Sequence, residues 1–156
     1  YAATTIVDTI VCMDGMEVIG AYLADELTQA GIMSMNAHKT IYVYSPEFDN
    51  RGQMIFRENS EMMIKGKHVL LLLASATTGQ TILRAGESID YYGGTVVGIT
   101  AIFSVPTKIF GQQVHSLYKI QDLPDYRSYT ASDCKMCKDH IPIDAICNSF
   151  GYSKLH

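Results

Sequence analysis

An unbroken apolar run that leads directly into a stretch of hydroxyl residues and glycine constrains this chain more than any other feature. Residues 69–73 read Val-Leu-Leu-Leu-Leu, a run too short to cross a membrane and suited to a strand buried on both faces of a parallel sheet. Residues 75–81 read Ser-Ala-Thr-Thr-Gly-Gln-Thr, and a helix is predicted to start within them. Because the N–H groups and the positive dipole end of a helix N-terminus point the same way, such a start favours an anion. The alternative is an ordinary N-cap in which nothing binds.

Strands and helices alternate along the rest of the chain. The predicted strands cover residues 4–13, 40–44, 69–73, 95–104 and 114–120, and the predicted helices cover residues 16–30 and 80–92. On the first helix, the residues expected to face inward are Val18, Ile19, Tyr22, Leu23 and Leu27. The alternation predicts a doubly wound α/β fold, with a mainly parallel sheet flanked by helices. In such a sheet, ligands lie outside the carboxyl ends of the strands, where the strand order reverses.

Composition narrows the classes of function. The 156 residues are 47% hydrophobic and 18% charged, a balance that is typical of a globular protein with a substantial core. The net charge of −4, without a dense Lys/Arg cluster, argues against nucleic acid or a membrane surface as partners. Four unevenly spaced cysteines are typical of a reduced, cytoplasmic protein. We expect one α/β domain over residues 1–125 and a tail over residues 126–156.

The stretch over residues 68–81 resembles the phosphoribosyl-pyrophosphate (PRPP) motif of type I phosphoribosyltransferases. That motif is an apolar strand, two acidic residues, two small or apolar residues, and then Thr-Thr-Gly-x-Thr. The resemblance, to orotate phosphoribosyltransferase-like proteins in particular, covers nearly the whole chain and implies that family's fold, a homodimer and a small phosphoribosyl ligand. The candidate phosphate loop that it implies consists of Ser75, Ala76, Thr77, Thr78, Gly79, Gln80 and Thr81.

The chain departs from the motif at Leu73 and Ala74, which stand where the family has its acidic pair. In the family these carboxylates lie beside the ribose hydroxyls, where they accept hydrogen bonds and favour the positive charge that develops on the sugar. Leucine and alanine can do neither. We therefore expect binding of PRPP or a nucleotide with impaired catalysis. The alternative is an active orotate or pyrimidine phosphoribosyltransferase that transfers ribose 5-phosphate from PRPP to a base, with Mg²⁺ as its cofactor.

A second candidate loop follows the first predicted strand. The resemblance implies that the pyrophosphate-binding loop consists of Met13, Asp14, Gly15, Met16 and Glu17. Two carboxylates beside a pyrophosphate would repel it unless Mg²⁺ lay between them. The alternative is a plain turn, with Glu17 at a favourable position in the first turn of a helix.

The family's mobile loop, with an Arg-Lys pair and a later Lys-x-His-Gly, has no counterpart in residues 40–63, which contain only Arg51 and Arg57 as arginines. Arg51 could replace a lost cation, or it could be a solvated loop residue.

The tail contains Cys134 and Cys137 and resembles the C-terminal segments of some orotate phosphoribosyltransferase-like proteins. With His140 and Cys147 these thiols could begin a zinc site, but two cysteines are half of a zinc signature. We expect reduced, metal-free thiols and no metal site. A short helix is predicted to start at Pro142 and to run through Cys147.

Overall fold

The structure, a computed structural model, describes residues 4–29, 34–148 and 151–155. The chain divides into two compact units, Tyr1–Leu123 and Pro124–His156. We call the first the sheet unit and the second the tail unit. Within the described ranges, no helix has the length and apolar content that crossing a bilayer requires.

A six-stranded sheet organises the sheet unit. Its strands are β1 (Thr9–Cys12), β2 (Tyr42–Tyr44), β5 (His68–Ala76), β6 (Thr95–Ser104), β7 (Lys108–Ile109) and β8 (Gln112–Lys119). A separate hairpin is formed by β3 (Glu47–Phe48) and β4 (Met54–Ile55), and the helices are α1 (Glu17–Gln29), α2 (Glu58–Glu61), α3 (Gln80–Tyr91) and a 3-10 turn at Ile120–Asp122. The strand order is β2-β1-β5-β6-β8-β7, and all neighbours are parallel except β7 and β8. The order reverses between β1 and β5. This confirms the doubly wound, mainly parallel sheet.

The core lies on both faces of β5. One hydrophobic cluster contains Val69, Leu71 and Leu73 of β5 with Ile82, Ala85 and Ile89 of α3. The other contains Leu70 and Leu72 of β5 with Ile10 and Cys12 of β1 and Ala24 and Leu27 of α1. Because successive side chains of a strand point to opposite faces, an unbroken apolar run feeds both clusters. The sequence predicted a strand buried on both faces, and this prediction is confirmed.

The predicted inward face of α1 is right at Leu23 and Leu27, which pack in or against the core, and wrong at Val18, Ile19 and Tyr22. Its buried residues are Gly20, Ala24 and Leu27, whereas Val18 and Tyr22 are 69% and 72% exposed, and Ile19 is 46% exposed. The physical reason is a close approach to the sheet: a Cβ atom at Gly20 would lie 2.3 Å from Cys12 Sγ. The helix therefore packs through Gly20 and Ala24 as well as Leu27, and a search for bulky apolar spacing does not find the two small residues.

Two further local predictions differ from the structure. The first strand, predicted over residues 4–13, is regular only at Thr9–Cys12. Residues 45–52, predicted to be a loop, contain β3, which pairs with β4 in a two-stranded hairpin. The first of these segments is held by contacts with residues that are distant in sequence, which local patterns do not reveal. One example is the Thr9 hydroxyl, which donates to the carbonyl of Met63.

The tail unit has little internal packing. It contains α4 (Lys135–Lys138) and an antiparallel hairpin of β9 (Ala145–Asn148) and β10 (Gly151–Lys154). The predicted helix through Cys147 is therefore wrong, because residues 145–148 pair with a strand that follows them. Every described residue of the unit is at least partly exposed. The predicted boundary at residue 125 lies two residues from the division between the units.

Candidate phosphate-binding site

The two candidate loops lie at the carboxyl edge of neighbouring parallel strands. Cys12, the last residue of β1, pairs in register with Leu72 of β5. The chain leaves the sheet after Cys12, whereas β5 continues to Ala76. This is the point at which the strand order reverses, the usual ligand position in an open α/β sheet.

The structure shortens the candidate phosphate loop. Ser75 and Ala76, predicted to lie in it, belong to β5 and pair with Phe103 and Ser104 of β6. Their N–H groups lie within a strand, because the sheet extends farther than the apolar run. The turn itself consists of Thr77, Thr78 and Gly79, and we call it the Thr-Thr-Gly turn. Gln80 and Thr81 begin α3.

The backbone amides of the Thr-Thr-Gly turn differ in their hydrogen bonding from those of the strand that precedes it. Within the described ranges, no backbone carbonyl accepts a hydrogen bond from the amide of Thr77, Thr78 or Gly79. The amide of Gln80 donates to Thr78 Oγ1 over 3.4 Å, a long and weak bond. The turn therefore joins unspent N–H donors to the start of a 12-residue helix. This is the arrangement that favours an anion.

Gly79 is required by its backbone and by its surroundings. Its φ angle of +78° lies in the left-handed region, where a side chain is strained. A Cβ atom there would also lie 2.8 Å from Ile109 Cδ1, and Pro106 lies just beyond. These two residues form a wall behind the turn that sequence analysis missed. The only signal was the position of residues 105–109 after a predicted strand, at the same edge of the sheet.

The two positions of the missing acidic pair differ in their environments. Leu73 is 1% exposed and belongs to the cluster under α3, whereas Ala74 is partly buried and packs against the cluster under α1. Neither side chain offers an oxygen to a sugar hydroxyl or to a cation. Among the described residues no group of three His, Cys, Asp or Glu side chains could hold a metal ion. Leu73 and Ala74 therefore supply no ligand for Mg²⁺.

The candidate pyrophosphate loop forms a tight turn that we call the Asp-Gly turn. Met13 and Met16 are buried, and the amide of Met16 donates to the carbonyl of Met13 over 3.2 Å. Between them Asp14 and Gly15 both have positive φ, +58° and +76°. Side chains and backbone thus account for the turn without a ligand.

Glu17 is the first residue of α1, and its carboxylate accepts a hydrogen bond from the segment that follows β2. Ser45 Oγ donates to Glu17 Oε1 over 2.6 Å. This hydrogen bond lowers the pKa of Glu17, so the side chain is an anion at neutral pH. The negative charge beside the Asp-Gly turn disfavours a bare pyrophosphate there.

In the tail unit, the pKa values of the Cys134 and Cys137 thiols are shifted in opposite directions. Cys134 Sγ accepts a hydrogen bond from the amide of Cys137 over 3.4 Å, which lowers the pKa of Cys134. A hydrogen bond to Cys134 raises the pKa of the Cys137 thiol. The expectation of metal-free thiols stays a prediction.

Three comparisons bear on the chain's relatives. No protein-family model matches it. Over 81 residues it is 32% identical to the orotate phosphoribosyltransferase of Caldanaerobacter subterraneus subsp. tengcongensis, a match that covers 51% of this chain and 40% of the relative. The chain thus spans less than half the length of that curated relative.

Two solved structures share the fold. The adenine phosphoribosyltransferase of Thermoanaerobacter pseudethanolicus is 17% identical, with a TM-score of 0.54 over 74% of this chain and 71% of that chain. The adenine phosphoribosyltransferase of Leishmania donovani is 18% identical, with a TM-score of 0.52 over 88% of this chain and 69% of that chain.

The sheet order and these structures define a phosphoribosyltransferase fold. The orotate phosphoribosyltransferase relative agrees with the resemblance carried by the Thr-Thr-Gly turn. The chain thus has the phosphoribosyltransferase fold, and its sequence is similar to that of an orotate phosphoribosyltransferase over about half of its length.

Proposed function

We propose that this protein binds a phosphorylated ribose compound, PRPP or a nucleotide, and transfers the ribosyl group poorly. One observation carries the proposal: three consecutive amides of the Thr-Thr-Gly turn have no backbone acceptor within the described ranges and lie before a helix at the switch point of the sheet. Hydrogen bonds from backbone N–H groups to an ionised phosphate are strong, because the acceptor is charged. The exposed hydroxyl of Thr78 adds a further donor.

Impaired transfer follows from the apolar strand end. Transfer from PRPP develops positive charge on the sugar, and an enzyme lowers the barrier by placing negative groups against that charge. Leu73 and Ala74 place none there. Losing one preorganised electrostatic group typically costs about a hundredfold or more in rate. The pocket can therefore keep its affinity for a phosphate and lose most of the chemistry.

The second candidate function is an active orotate or pyrimidine phosphoribosyltransferase, favoured by the identity of the curated relative. In that case Mg²⁺ would arrive with the pyrophosphate of the ligand, because the described residues offer no site of their own. Asp14 or Glu17, the two carboxylates of the candidate pyrophosphate loop, would assist in holding it.

Calorimetry and a product assay separate the two functions. We expect PRPP and nucleoside monophosphates to bind, free bases not to bind, and Mg²⁺ to change affinity only modestly. Incubation with PRPP, orotate and Mg²⁺ should yield little orotidylate. Robust Mg²⁺-dependent product would establish the second function, and the absence of any phosphate-dependent heat would refute the first.

The proposal includes a homodimer, as the family resemblance implies, and a cytoplasmic location, as the four unevenly spaced cysteines indicate. Sedimentation of the purified protein over a concentration series tests the assembly. A single species at the monomer mass would contradict it.

A further inference from the structure

A cavity of about 390 Å³ opens between the β3–β4 hairpin and α3. Its lining consists of Arg51, Gln53, Arg84, Glu87, Ser88 and Tyr91. The volume is within the range of small-molecule sites. Two arginines against one glutamate leave one positive charge on the lining, in a chain whose net charge is −4.

The arginines near this cavity differ in whether a carboxylate neutralises their charge. Arg57 is neutralised by Glu47, with Nε and Nη2 donating to the two carboxylate oxygens over 2.8 and 2.6 Å. Within the described ranges, neither Arg51 nor Arg84 forms a salt bridge. Guanidinium groups that share a cavity repel each other, and an anion between them offsets the repulsion.

Arg84 reaches across the cavity to the hairpin. Its Nη1 atom is 3.4 Å from the position that a Cβ of Gly52 would occupy, and Gly52 has a φ of +74°. Arg51 immediately precedes Gly52 in this turn, and its amide donates to Asp49 Oδ1 over 2.8 Å. The hairpin turn is thus fixed by Asp49, with one arginine on it and another against it.

The cavity is distinct from the Thr-Thr-Gly turn. Arg84, Ser88 and Tyr91 recur at helical spacing on one side of α3. With a rise of 1.5 Å per residue they lie about 6 to 17 Å along the helix from Gln80. The Tyr91 ring at the far end is 82% exposed, so a planar group could stack on it.

We propose that this cavity is a second anion site, which holds the phosphate group of a small phosphorylated compound between Arg51 and Arg84. Guanidinium groups match phosphate because their planar N–H donors bind two oxygens at once. The inference stands apart from the proposed function, because it uses other residues and another part of α3.

The test is titration of the full chain with inorganic phosphate, followed by ¹⁵N NMR of arginine side chains at constant ionic strength. We expect the Nε signals of Arg51 and Arg84 to move together with one dissociation constant. Arg51→Gln or Arg84→Gln should weaken that binding at least about tenfold, since each removes a charge-assisted hydrogen bond. Arg57→Gln is the matched control and should change it less than about twofold.

The inference is overturned if the two Nε signals stay fixed, if chloride moves them equally, or if the control variant weakens binding as much as Arg84→Gln. Unchanged backbone spectra for the variants establish that they fold. The amides of Thr78 and Gly79 report on the other site in the same titration. Either site can therefore fail while the other is retained.

Discussion

The Asp-Gly turn and the Thr-Thr-Gly turn follow neighbouring strands at the same edge of one sheet, yet they are built in opposite ways. The first closes on itself, with Met16 donating to Met13 and carboxylates at Asp14 and Glu17. The second leaves three amides without backbone acceptors in the part of the chain that the structure describes, and it carries hydroxyls in place of charges. The difference predicts that unspent backbone donors, and not position on the sheet alone, decide which strand end binds an anion.

The largest expected effect concerns the end of β5. Leu73→Asp should lower the free energy of unfolding by about 4 kcal/mol or more, because it places an unpaired charge in the core. Ala74→Asp should cost only about 1 to 2 kcal/mol, because this position is partly exposed. Urea denaturation of both variants measures the difference.

Equal losses for the two variants would contradict the assignment of Leu73 to the core. If the double variant Leu73→Asp, Ala74→Asp folds, a gain of orotidylate formation would support the view that the missing carboxylates limit catalysis.

Two glycines allow a matched test of the turns. Gly79→Ala combines a left-handed backbone with a contact to Ile109, so it should cost about 2 to 3 kcal/mol and abolish phosphate binding. Gly15→Ala has a similar φ but meets no atom within 4 Å, so about 1 kcal/mol is expected. Thermal unfolding and phosphate titration check both values. Loss of phosphate binding in the Gly15 variant alone would reverse the assignment of the two turns.

Glu17→Gln tests whether the charge beside the Asp-Gly turn opposes the ligand. If Glu17 only repels, PRPP should bind about twofold to fivefold more tightly to the variant, the size of an exposed charge interaction. Weaker, Mg²⁺-dependent binding would instead favour the enzyme.

The hydrogen bond from Ser45 lowers the pKa of Glu17. The stability that this bond adds to the fold is therefore present above the ordinary pKa near 4.5 and is lost as pH falls through the lowered value. Ser45→Ala should remove that pH dependence, as measured by acid titration.

The smallest effect is expected for Thr78→Val. The hydroxyl accepts only a 3.4 Å bond from Gln80, so stability should change by less than about 0.5 kcal/mol. Affinity for phosphate should fall a few-fold if the hydroxyl contacts the ligand. Calorimetry on the variant measures this, and a loss as large as that of Gly79→Ala would show that the hydroxyl, and not the backbone, holds the anion.

The sequence predicted the sheet and the Thr-Thr-Gly turn because both depend on local chemistry. Five consecutive apolar residues specify a buried strand, and Gly79 fits a left-handed helix start. The wall formed by Pro106 and Ile109 could not be predicted, because it depends on how a loop after β6 folds back beside another loop.

The two wrong helix predictions have separate causes. On α1 the sequence showed bulky residues at helical spacing. The face that packs against the sheet instead contains Gly20, where a Cβ atom would lie 2.3 Å from Cys12 Sγ. In the tail, Cys147 lies in a strand whose partner comes later in the chain. Both outcomes depend on a neighbour that the local sequence does not specify.

The uniform apolarity of β5 has a consequence for how the chain finds its alignment during folding. The side chains of a strand that is equally apolar on both faces do not distinguish one face from the other. A shift of the register by one residue would exchange the two faces. The register must therefore be specified by polar groups at the start of β5. Asp8 is such a group, because one oxygen of its carboxylate accepts hydrogen bonds from both the amide and the imidazole of His68, over 2.9 and 2.7 Å. The hydrogen bonds between Asp8 and His68, at the far end of the sheet, thus favour the alignment in which Leu70 and Leu72 face α1 and Leu71 and Leu73 face α3.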